Sequence, residues 1–139
     1  MAKRKIDKLP QFVPLLLQTM DCEAWGALTP FAKALYPFVR RRVSFGGENN
    51  GSISCSVREA AAYLGVHRNT AARALKELQA KGFIVAMTIG RLGVSGEGKA
   101  TTWRLTEMGT PANRTPTKEY LSWSPGNDYP VAEGRRRAA

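Results

Sequence analysis

SVREAAAYLGVHRNTAARALKELQAKGFI, residues 56–84, encodes two helices and the turn between them. Ser56 followed three residues on by Glu59 is the pattern of a capping box, in which each side chain satisfies a free backbone donor at a helix start. It predicts a helix over 57–64 that turns Ala60, Ala61 and Leu64 inward. Gly65 tolerates the left-handed backbone of a tight helix exit, so the first helix ends there. A second begins three residues later. Ala71, Ala74, Leu75 and Leu78 fall at the spacing of one buried stripe, which forces Arg68, Asn69, Ala72, Arg73 and Lys76 onto the opposite side. Lys81 and Gly82 close it.

Downstream, FIVAMTI (83–89) is rich in β-formers and ATTWRLTE (100–107) alternates, so the pair makes a β-hairpin. GRLGVSGEGK (90–99) supplies its tip, with four glycines. Upstream, Thr29 before Pro30 reads as an N-cap with proline at the first helical position, and Phe31, Leu35, Phe38 and Val39 recur at helical spacing. The pattern predicts a helix from 30 to 43, kinked or broken early at Pro37. FVPLLLQTM (12–20) is expected as extended chain packed on the domain, and DCEAWGAL (21–28) as a short helix capped by Asp21. FGGENNGS (45–52) is a loop by composition, and ISCS (53–56) a short strand. Trp25, Trp103, Phe31, Phe38 and Phe83 lie on apolar stripes and are assigned to the core.

From Met108 the chain is rich in proline, glycine and polar residues and ends in Arg135, Arg136 and Arg137. Only PTKEYLSW (116–123) looks able to dock, through Tyr120, Leu121 and Trp123. The expected organisation is a basic arm over 1–10, one domain over 11–107 and a basic tail over 108–139, without internal repeats. A length of 139 residues fits one core and not two ordinary domains.

Twenty-one Lys and Arg against eleven Asp and Glu leave a formal charge of +10, which makes nucleic acid or another anionic surface the first partner to test. Cys22 and Cys55 flank no CxxC or histidine cluster, so neither a zinc site nor a disulfide framework is indicated and two buried free thiols are expected. The N-terminus is basic and then briefly apolar, but Pro10 and Pro14 interrupt it and no small-residue cleavage site follows. Nothing reaches the length of a membrane span, so a cytoplasmic, nucleoid-associated protein without membrane contact is expected. There is no GxxxxGK[ST], no metal-ligand cluster and no nucleophile beside the one histidine in a recognisable motif. Neither an enzyme nor a cofactor is expected.

Two short helices joined by a glycine-containing turn, the second with a small, polar and basic outer face, form a helix-turn-helix, and the following hairpin supplies a wing. The expected fold class is therefore α+β, mainly α. A helix fits the major groove, where bulky apolar groups near its N-terminus would block approach. Arg68 and Arg73 can present paired donors to guanine, Asn69 can pair in both senses with adenine, and Thr70 can bond phosphate alongside free backbone amides. His67, the only histidine, stands at the helix entrance, where a capping or surface role is preferred to base reading. Lys76 lies farther along, in reach of phosphate rather than bases. In the wing, Arg91 and Lys99 bracket a tip able to follow the backbone or enter the minor groove. The competing interpretations are bland: a solvated amphipathic helix and a loose loop. Arg40, Arg41 and Arg42 have a structural reason of their own, as cations at the end of the Pro30 helix. The N-terminal KRK and terminal RRR read as solubilising tails with a secondary attraction to phosphate.

On these residues the chain resembles winged-helix bacterial regulators, whose pattern is a capped helix, LG-V-S/H-R-x-T, and an apolar stripe ending in L-x-x-x-G-F/L-I. The wider frame, FVPLLLQTMDCEAWGALTPFAKALY, NNGSISCSVREAA, GKATTWRLTE and PTKEYLSW, resembles small helix-turn-helix proteins of prophages and integrative elements, themselves similar to the N-terminal domains of phage replication proteins. The resemblance covers residues 11–123. It implies a winged helix-turn-helix with a two-stranded wing and an extended C-terminal tail, reading DNA through Val66 to Lys81. Pro37 and His67 depart from the pattern, which usually has a continuous helix and a serine cap at those places.

Three functions stay open. The leading one is a transcription regulator that occupies specific double-stranded DNA; its rival marks a replication origin and recruits partners; the third is a protein-interaction or RNA-binding module. Double-stranded DNA, a second copy of the chain, and the replication or transcription machinery are the corresponding partners. Homodimers on inverted half-sites are usual for such motifs, although no helix here is long enough to require one.

Overall fold

The computed structural model describes residues 10–88 and 101–132. Arg91, Lys99, the tip that carries them and both terminal arginine- and lysine-rich runs lie outside that range. Within it the chain is α+β and mainly helical. The helices are α1 (Leu17–Asp21), α2 (Glu23–Gly26), α3 (Pro30–Arg40), α4 (Val57–Leu64) and α5 (Arg68–Ala80). The strands β1 (Ile53–Ser54), β2 (Ile84–Thr88) and β3 (Thr102–Leu105) form one antiparallel sheet in the order β1-β3-β2, and a 3-10 turn covers Glu119–Ser122.

The capped stretch folds as its spacing requires. The Ser56 hydroxyl accepts from the Glu59 N–H at 3.0 Å, while the Ser56 N–H donates to the Glu59 carboxylate at 3.4 Å. Gly65 takes the left-handed conformation, φ 70° and ψ 35°, and donates to the Ala61 carbonyl. α5 then sets Ala71, Ala74, Leu75 and Leu78 into the core, where α5 packs against α3 and α4. Each buried leucine contributes on the order of 2 kcal/mol of apolar burial. The core also holds an aromatic cluster: Trp25, Tyr36 and Phe83 meet edge to face at 5.6–5.7 Å, and Tyr120 stacks on Phe83 at 4.8 Å.

β2 pairs with β3 from Ile84 opposite Leu105 to Ala86 opposite Trp103, with a shift before Thr88 opposite Thr102. The predicted hairpin strands are present but shorter. β1 adds a third strand on the far side of β3, Ile53 opposite Trp103, so the sheet is larger than a two-stranded wing. Asn50 pins the loop before β1 to the end of β3: its side-chain oxygen accepts from the Leu105 N–H at 2.7 Å and its amide donates to the Leu105, Met108 and Gly109 carbonyls.

Several expectations are corrected. Residues 17–21 are helical, not extended, because Leu16 accepts the first turn's hydrogen bonds and Thr19 turns into the core. Asp21 ends α1 rather than capping α2, whose N-cap is Cys22 without a side-chain bond. α3 runs through Pro37 and stops at Arg40, one turn later and short of residue 43; Arg41 bonds back to the Pro37 carbonyl, so only the missing proline donor is lost there. Phe31 is exposed, since the buried face of α3 is Ala32, Leu35, Tyr36 and Val39. Cys55 is buried, but Cys22 only half-buried.

The segment after β3 packs back on the body. Tyr120 and Trp123 are buried as expected, whereas Leu121 is exposed because the 3-10 turn points it outward. Farther on, the Tyr129 N–H bonds the Ala80 carbonyl and the Ala132 N–H bonds the Gln79 side chain, both at 2.9 Å. Gly82 makes this close approach feasible: φ is 87°, and a Cβ there would lie 2.8 Å from the Tyr120 backbone nitrogen.

Candidate nucleic-acid interface

The face of α5 turned from the core begins at its cap. His67 holds extended backbone (φ −65°, ψ 148°), and its Nδ1 accepts from the Asn69 N–H at 3.1 Å. The ring therefore performs the capping role preferred from sequence and leaves Nε2 as the ring atom open to an outside partner. His67, Arg68, Asn69, Arg73 and Lys76 are exposed, and Thr70 is half-buried. The 3.6-residue repeat brings Arg68, Asn69, Arg73 and Lys76 onto one side of α5, with His67 at the cap and Thr70 in the first turn flanking them. Arg91 and Lys99 lie outside the described residues.

Ion pairs occupy several of the basic residues away from this face. Arg40 bonds Glu107 at 3.3 Å, Lys81 bonds Asp128 at 3.2 Å and Arg104 bonds Glu119 at 3.3 Å. Arg42 pairs with Glu59, donates to the Ser54 carbonyl and lies 4.6 Å from the Phe38 ring centre. Among the described residues, Arg41, Arg58, Arg68 and Arg73 have no ion-pair partner. The single acid of α5, Glu77, is withdrawn from the face: its carboxylate accepts from the Thr29 N–H at 2.8 Å and from the Thr29 hydroxyl at 2.7 Å. Thr29 also caps α3, so one contact ties the start of α3 to α5 and turns the carboxylate towards Thr29.

Sequence reasoning overlooked Glu77 and Arg58. Arg58 is exposed in the first turn of α4, and its signal was its place two residues after the capping serine. Nothing local announced the partner of Glu77, since Thr29 is 48 residues away.

Cys55, just before the capping serine of α4, is buried, and burial pushes its thiol up to about 11, so it stays protonated near neutrality. Among the described residues, no group of three or more His, Cys, Asp or Glu could hold a metal ion, and no helix is long and apolar enough to cross a membrane. What the face offers is guanidinium and amide donors on a rigid helix, the chemistry suited to phosphate and base edges. No family model matches the chain, and neither a curated protein nor a solved structure matches it.

Proposed function

We propose that the chain is a sequence-specific, double-stranded DNA-binding protein of the winged helix-turn-helix kind, a transcription regulator that reads the major groove with α5. In this reading Arg68, Asn69 and Arg73 meet base edges, and Thr70, Lys76 and the Nε2 of His67 meet phosphates. Arg91 and Lys99 in the wing reach the adjacent backbone. The protein acts in the cytoplasm on the nucleoid, as a binder and not a catalyst.

One observation carries the proposal: two exposed arginines on α5 lack ion partners among the described residues, while the only acid of that helix is engaged by Thr29. Leaving cations uncompensated on a rigid helix is what an anionic partner requires, since neutralising phosphates releases the counterions that drive association.

Selection of bound fragments from a genomic DNA library by the purified protein, at two salt concentrations, tests this. A shared inverted repeat upstream of a gene is the expected result and implies a dimer on its site. Clustered direct repeats would favour origin marking instead. Enrichment that disappears at the higher salt with no shared sequence would remove sequence reading and leave the interaction-module alternative. Because residues through 132 pack on the body, recruitment by the tail is tested by truncation after Ala132 rather than from Met108.

A further inference from the structure

On surfaces separate from α5, the segment 10–14, the end of α3 and the loop after it enclose a groove of about 670 Å3 together with Tyr63 of α4. Its volume lies in the range that holds a small ligand and is too small for a duplex. Three rings stand open on it: Phe45 is 87% exposed, Phe12 65% and Tyr63 47%. Exposed rings that line one groove mark a surface that a partner can cover.

Two further features narrow the occupant. Tyr63 is held in place, stacked on Phe38 at 4.2 Å with 21° between the ring planes, and Phe38 is in turn backed by the Arg42 guanidinium. A ring fixed in this way presents a flat face with little entropy left to lose. No carboxylate lines the groove. Of its two arginines, Arg40 is neutralised by Glu107, while Arg41 is exposed and has no ion partner among the described residues. The surface thus combines open π faces with one uncompensated guanidinium, which is the pairing that accommodates unstacked bases joined by phosphates.

We propose that this groove binds a single-stranded segment of nucleic acid, with bases stacked on Phe45 and Tyr63 and a phosphate at Arg41. A duplex keeps its base faces inside and has nothing to place on these rings. An acidic peptide would satisfy Arg41 but reaches the rings only where it carries proline or aromatic side chains, whereas every nucleotide brings both a flat base and a phosphate. None of the lining residues belongs to α5 or the turn before it, so the inference stands or falls apart from the duplex proposal.

The test uses the full chain, an end-labelled single-stranded oligonucleotide of mixed sequence and the duplex selected for the regulator reading, with affinities from fluorescence anisotropy. Phe45→Ala and Tyr63→Ala should each weaken single-strand binding about 5- to 100-fold, Arg41→Ala should weaken it less, and none should alter duplex binding. Arg73→Ala should do the reverse. Phe45→Trp should keep the affinity and show emission quenched by the oligonucleotide beyond any change in the native tryptophans. Unchanged single-strand affinity in both ring variants overturns the proposal, as does loss on Arg73→Ala instead. So does failure of the full chain to bind the strand, whether or not an acidic peptide quenches Phe45→Trp.

Discussion

Arg40 at the end of α3 and the arginines on α5 look alike in the sequence and differ in what surrounds them. Arg40 is buried against Glu107, whose other oxygen accepts from the Thr19 hydroxyl, and the Thr19 and Tyr120 hydroxyls lie 3.1 Å apart. Burial first, and then the charge of Glu107, pushes the neighbouring Tyr36 phenol well above its usual range, so it stays neutral. Arg68 and Arg73 meet no carboxylate among the described residues. The difference teaches that a cation's role is decided by the acids that reach it, and those acids come from distant parts of the chain.

Five substitutions sharpen or break that distinction. The largest effect is expected for Glu107→Ala, which leaves the Arg40 guanidinium buried and unpaired and should cost about 3–5 kcal/mol in urea denaturation. Retention of full stability would mean that Arg40 is not a structural cation. Next, Arg73→Ala or Arg68→Ala should weaken binding to the selected duplex by about 1–3 kcal/mol and relax sequence preference, with stability kept within about 0.5 kcal/mol. A matching loss of stability would erase the contrast from the other side. Ser56→Ala removes the cap of α4 and should lower stability by about 1 kcal/mol without relaxing sequence preference.

The smallest effect concerns Glu59 and Arg42. The hydrogen bond from Arg42 holds the Glu59 carboxyl below its ordinary value of 4.5. A carboxyl depressed in the folded state contributes stability above its unfolded value and loses it as pH falls through the folded one. The difference in stability between the native protein and Glu59→Gln should therefore shrink on acidification below pH 4.5. Solvent screening keeps it small, since the Glu59 side chain is 42% exposed. A difference that is constant with pH would place the whole effect of Glu59 in the capping box.

Local chemistry was legible wherever partners are close in sequence. The capping box, the Gly65 exit, the His67 cap and the buried stripe of Ala71, Ala74, Leu75 and Leu78 on α5 all depend on neighbours within one or two turns. α1 was illegible for the same reason: Pro14 and a run of leucines suggest extended chain, and the turn closes because Thr19 finds Glu107, 88 residues away. Asn50, in a stretch that reads as plain loop, became a buried clamp on β3 only when the sheet formed. Leu121 looked like an anchor by hydropathy, yet the left-handed backbone of Lys118 and the 3-10 turn after it rotate it outward.

The sequence by itself determined the two capped helices, the turn between them and which side of α5 carries Arg68, Asn69, Arg73 and Lys76, because helical periodicity and caps act over a few residues. Only the tertiary structure decided which cations are spent on ion pairs, that Glu77 leaves the outer face for Thr29, and that Phe12, Phe45 and Tyr63 share one groove. Those outcomes depend on groups brought together through space by burial of the common core, and no local pattern encodes that meeting.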